Sequence, residues 1–166
     1  MLVEKIVNLR ELYINQARML LSAEEAIVKG LEKMQGAATD TQLQQIFQSH
    51  RQESQAQITR LQRILNHTTG DVDEVKCESI KALIKEGDLI IQESDGTVRD
   101  VALIAAAQRI EHYEIATYGA LRSFARTLDL PGDAEALNQT LEEEAHADNL
   151  LTDLSDRLNQ EALRLP

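Results

Sequence analysis

Four stretches of this chain repeat apolar side chains every three or four residues over more than twenty positions, which restricts it to packed amphipathic helices. In the first, Leu2, Ile6, Leu9, Leu12, Gln16, Met19, Ala23, Ala26, Leu31 and Met34 form a stripe of about 30 residues, roughly 45 Å as a helix. Each stripe is interrupted by polar side chains where hydrophobes are due. They are Gln16 in the first, His50 and Glu53 in the second, Glu111 and Glu114 in the third, and Glu144 and Asp148 in the fourth. A carboxylate buried without a partner costs several kcal/mol, so several of them on facing stripes need a neutralising agent.

The spacing and the turn residues predict helices over about 2–35, 41–66, 97–128 and 134–161, with a shorter one over about 75–93. Gly36 and the AATD stretch end the first, and Thr39 or Asp40 caps the second. HTTGDVD breaks the second, and Gly87 weakens the short segment. Thr97 and Asp100 resemble a capping box for the helix that follows SDGT, and DLPGD is a sharp break. Four long helices with one long connection between the second and third make an antiparallel four-helix bundle of the ferritin-like kind. The connection is a crossover carrying a short extra helix. No second domain is apparent, so residues 1–166 read as one.

Only 3% of the chain is aromatic and only two residues are proline, which favours long helices over strands. With 28 acidic and 17 basic side chains the formal charge is −11, so nucleic acid and anionic membrane are excluded as partners. No apolar run reaches transmembrane length and the N-terminus lacks a signal-peptide core, which predicts a cytoplasmic protein. A lone cysteine, Cys77, allows no internal disulfide and reads as a small buried hydrophobe.

The interrupted stripes match the chemistry of a carboxylate-bridged metal pair, which takes hard oxygen donors and one or two imidazoles from the four helices of a bundle. Residues three or four apart share a helical face, so His50 with Glu53, Glu111 with Glu114 and Glu144 with Asp148 can each point inward. Five inner carboxylates sum to −5, which two divalent ions would nearly balance. The plainer reading is that each such carboxylate snorkels to water from the edge of its stripe. Glu143 and His146 also spell Glu-x-x-His, but His146 lies beside the inner stripe. Tyr118 is either a hydrogen-bond partner for a ligand carboxylate or a core tyrosine. His112 reads as exposed, and His67 as a loop residue.

At these residues the chain resembles the YciF-like family of ferritin-like bacterial stress proteins. VRDVALIAAAQRIEHYEIATYGALRSFA (98–125), KCESIKALI (76–84), TLEEEAHAD (140–148) and His50 with Glu53 carry the resemblance over nearly the whole chain. It implies a ferritin-like bundle, a homodimer in the bacterial cytoplasm, and an association with stress responses. The family's metal-type positions fall on Glu53, Glu111, Glu114, Glu144 and Asp148, with His50 beside them. This chain departs at Gln16 and Gln52, where the family commonly has Glu; an amide is a neutral, weaker donor.

Two functions follow as expectations. One is an iron- or manganese-containing protein turning over oxygen or peroxide. Glu53 and Glu144 would bridge the ions, and His50, Glu111, Glu114 and Asp148 would complete the coordination. With no rubredoxin-like cysteine pair, its electrons would come from a partner. The other is a metal-free structural stress protein acting as a homodimer, the reading that Gln16 favours.

Overall fold

The computed structural model describes residues 5–70 and 75–165. Among them are five helices: α1 (Leu9–Ala37), α2 (Thr41–Thr69), α3 (Glu78–Glu93), α4 (Gly96–Thr127) and α5 (Pro131–Leu163). The chain is all-α, and its four long helices form a ferritin-like bundle.

The helix ends have local causes. α1 starts at Leu9 rather than near residue 2, because Asn8 accepts from the Glu11 backbone N–H while the Glu11 carboxylate accepts from the Val7 N–H. Residues 5–7 are therefore not helical, and residues 1–4 lie outside the described part. α2 runs three residues past Asn66 and ends on Gly70, whose φ of 69° suits glycine. His67 thus sits in the last turn of a helix, not in a loop. The second part of the expected HTTGDVD break, residues 71–73, lies outside the described residues. Pro131 does not merely break the chain but starts α5 at its first turn, where its missing N–H costs nothing.

Asp100 acts away from the start of its own helix. It forms no capping box with Thr97, since Asp95 caps α4 by accepting from the Gly96 N–H. Instead the Asp100 carboxylate, 1% exposed, accepts from the backbone N–H groups of Thr39 and Asp40 and from the Thr39 hydroxyl. It ties the start of α4 to the α1–α2 turn.

These bonds fix the topology. Thr39, Asp40 and Asp100 place the end of α1 and the starts of α2 and α4 together, and Arg157 of α5 reaches Asp40 at 2.7 Å at the same end. At the other end Tyr13 donates to Asp133 at 2.8 Å, joining the starts of α1 and α5. The helices pack around a ring in the order α1, α2, α5, α4, and every neighbouring pair runs antiparallel. α2 and α4 point the same way, so the chain must cross the length of the bundle between them, and α3 lies on α1 and α4 along that path. Gly30 and Gly87 let it approach. A Cβ at Gly30 would stand 3.3 Å from Ile84, and one at Gly87 3.0 Å from the Met34 methyl.

The core is mostly aliphatic around a few aromatic rings, with Leu20, Ile27, Leu43, Phe47, Leu61, Leu103, Leu121, Leu137 and Leu151 all within 1% of full burial. Among the described residues no helix is long and apolar enough to cross a membrane.

Candidate metal centre

The inner faces place an ionisable cluster midway along the bundle. On α2 the buried row is Leu43, Phe47, His50, Ser54, Gln57, Leu61 and Ile64; on α5 it is Leu137, Thr140, Glu144, Ala147, Leu151, Leu154 and Leu158. α4 contributes Leu103, Ala107, Ile110, Glu111, Glu114, Tyr118 and Leu121. These rows follow the helical repeat, so the polar members are carried inward with their apolar neighbours. His50, Glu111, Glu114 and Glu144 each offer a ligand atom within 4.8 Å of the others, and none is more than 3% exposed.

α1 adds a carboxylate that the sequence reading missed. Glu24 is fully buried and accepts a 2.5 Å hydrogen bond from the Tyr118 hydroxyl, and its carboxyl lies against that of Glu114. Gln16 stands eight residues from it, about 12 Å along the helix axis, and is only half-buried. The buried row of α1 is Tyr13, Ala17, Leu20, Glu24, Ile27, Leu31 and Met34. The inward face is thus turned by one residue from the stripe through Gln16, Met19 and Ala26. The 3-4 spacing through Tyr13 and Ala17 was the signal that would have found Glu24.

Two expected ligands stand apart. Glu53, its side chain 36% exposed, sits at the rim with an oxygen 3.8 Å from His50 Nδ1. Asp148 faces the α4 surface, where Gln108 donates to it at 3.1 Å and His112, 68% exposed, lies 3.6 Å away. Glu143 is not free to act either. Arg60 grips it with two bonds of 2.6 and 2.7 Å, and although burial opposes its charge, Arg60 and Gln57 hold its carboxyl below the ordinary range. Gln52 faces solvent. Cys77 is buried, as expected, with its sulfur 3.2 Å from the Tyr113 hydroxyl.

Polar neighbours orient the cluster. Gln57 donates to Glu144 and, at 3.1 Å, to Glu143. His50 Nε2 lies 3.4 Å from Glu111 and 3.6 Å from Glu144. Many polar atoms nevertheless lack a hydrogen-bond partner: one oxygen each of Glu24, Glu111 and Glu144, both oxygens of Glu114, and both ring nitrogens of His50. At an effective dielectric of 20, two charges about 4 Å apart repel by about 4 kcal/mol, so four ionised carboxylates this close are untenable alone.

The protonation equilibria register that strain. Burial, then the charge of Glu144, pushes Glu24 up to about 7. Burial also drives Glu111, Glu114 and Glu144 upward. Burial would discharge His50, but Glu111, Glu53 and Glu144 outweigh it and raise the imidazole to about 10. Burial, reinforced by the Glu24 charge, keeps Tyr118 a phenol.

Protein comparisons agree with this architecture. The chain is 36% identical over 157 residues to protein YciF of Escherichia coli, covering 93% of this chain and 95% of that one. The crystal structure of the E. coli stress protein YciF superposes with a TM-score of 0.90 at 34% identity, over 93% of this chain and 99% of the other. YcfI of Rhodopseudomonas palustris gives 0.87 at 36% identity, over 92% and 98%. A Xanthomonas campestris protein at 20% identity, with a TM-score of 0.79 over 94% and 97%, shares the fold. Residues 8–164 match the family described as domain of unknown function DUF892, and with its YciF-like relatives the chain belongs to that family.

Proposed function

We propose that the bundle centre holds divalent iron or manganese, bound by Glu24, His50, Glu111, Glu114 and Glu144, and that the protein acts on oxygen or peroxide. One observation carries this reading. Four carboxylates and an imidazole from all four long helices converge in the buried core, several of their oxygens without a hydrogen-bond partner. The donors fit the metal, being hard carboxylate oxygens plus one imidazole, without thiolates. Glu24 takes the place that Gln16 was expected to fill on the first helix.

A bound redox metal would supply electron transfer to oxygen or peroxide. The protein's own part is positioning. Tyr118 holds Glu24 by one oxygen and leaves the other for the ion, and Gln57 does the same for Glu144. The leucine-rich layers on either side keep bulk water from the carboxylates.

Protein loaded anaerobically with iron or manganese is expected to retain it by elemental analysis and to melt at higher temperature. A ligand at one hundred times its Kd adds about 2.7 kcal/mol. Glu114→Ala and Glu24→Gln should each reduce that gain, whereas Gln16→Glu should leave it unchanged. Retention of no metal by the wild type would sink the proposal, and peroxide consumption indifferent to Glu114→Ala would remove its catalytic half.

One observation favours a second reading, a metal-free structural protein that assembles as a homodimer. Tyr118 and Gln57 already give one hydrogen bond each to Glu24 and Glu144, and raised proton affinities let the buried carboxyls share protons as a neutral network. An unchanged melting temperature with metal, together with a dimeric mass by sedimentation, would support it.

A further inference from the structure

A cavity of about 40 Å³ opens between α2 and α5 directly outside the cluster. Its apolar walls include Ile46 and Leu150, and its polar groups are Ser49, His50, Glu53 and His146. The mouth is exposed: His146 lies on the surface, and Glu53 and Leu150 are each about a third exposed. The inner wall is the His50 ring, 3% exposed, with no hydrogen bond to either nitrogen. Its Nδ1 faces the rim carboxylate Glu53 at 3.8 Å, while Nε2 faces Glu111 and Glu144 inside. The imidazole is therefore the partition between the cavity and the buried carboxylates.

We propose that this cavity is the route by which a divalent metal ion reaches the bundle centre, with Glu53 and His146 receiving it at the mouth and His50 passing it to Glu111 and Glu144. The inference rests on the metal-binding reading above and assigns Glu53 and His146 a role that the buried site does not give them. The volume suits the traffic. One water needs about 10–15 Å³ of such space, so the cavity admits an ion with a few waters and nothing larger. A hydrated ion must exchange water for protein donors before entering an apolar bundle, and a carboxylate and an imidazole at the rim are the donors for that exchange. The formal charge of −11 favours cations over anions near the protein, and Glu53 places one carboxylate in the cavity lining.

The test is the rate of cobalt(II) uptake by the full chain, followed by its visible absorbance, with the final cobalt content from elemental analysis. His146→Ala removes a mouth donor, and Leu150→Phe narrows the opening; both positions are exposed enough to spare the fold, which circular dichroism checks. Uptake is expected to slow roughly tenfold in either variant, with the final cobalt content unchanged. Wild-type rates in both variants would overturn the route while leaving the buried site intact. Slower uptake with lost cobalt would make these residues ligands and also overturn it. No cobalt in the wild type would overturn the metal-binding reading, and the route with it.

Discussion

Glu24 shows how one side chain can be invisible in a stripe and central in a bundle. Its neighbour Glu25 is exposed, so an acidic pair in the sequence splits into one solvated and one fully buried carboxylate. Its raised affinity for protons makes metal-free protein sensitive to pH. A carboxyl with an ordinary value near 4.5 in the unfolded chain and about 7 in the fold contributes most stability below 4.5. That contribution, about 3 kcal/mol, is lost as the pH rises through 7. His50 acts in the same direction at higher pH, because its charge favours the fold below 6.5 and the gain is lost as the pH approaches 10. The melting temperature of metal-free protein is therefore expected to fall from pH 5 to pH 9. In Glu24→Gln the part of that decline between pH 5 and 7 should flatten, as a calorimetric series would show. Tyr118→Phe leaves Glu24 with a bare buried oxygen and should cost about 1–3 kcal/mol in urea unfolding of the metal-free chain.

At the scale of elements, the bonds that matter join helices far apart in sequence. Asp100 satisfies two backbone N–H groups at the α1–α2 turn across some sixty residues. Asp100→Ala is expected to cost about 2–3 kcal/mol by chemical denaturation, because hydrogen bonds to a buried charge are lost together. Thr97→Ala should cost almost nothing, the reverse of what a local capping box at that position would require. Helix α3 is tied differently. Its glycine at 87 faces only the flexible end of Met34, so Gly87→Ala trades a small Met34 shift for helix propensity and should lie within about 1 kcal/mol of the wild type.

For the molecule as a whole, two polar ties hold the far end of the ring. Tyr13 and His67 both meet the buried carboxylate Asp133, at 2.8 and 3.1 Å, joining α1, α2 and α5. Asp133→Ala strands the buried Tyr13 hydroxyl and is expected to lower stability by about 1–3 kcal/mol, measured by thermal melting. His67→Ala should cost less, since His67 is half exposed and its pairing is screened by water.

Helix number, helix type and crossover were legible from the chain alone, because a 3.6-residue repeat over some thirty positions has no other stable solution. So were His50, Glu111, Glu114 and Glu144, which lie on stripes whose apolar members are unmistakable, such as Leu43, Phe47 and Leu61 on α2. Stripe phase was the weak point wherever alanines and polar residues blur the apolar face. On α1 a shift of one residue exchanges Gln16 for the row that holds Glu24; on α2 and α5 the phase holds, and only the choice between neighbours, Ser54 over Glu53 and Ala147 over Asp148, leaves Glu53 and Asp148 at the rim. A rotation of 100° per residue leaves helix type unchanged but decides which side chains meet. Only the packing of α1 against α2 and α4 set that rotation, and with it the membership of the buried cluster.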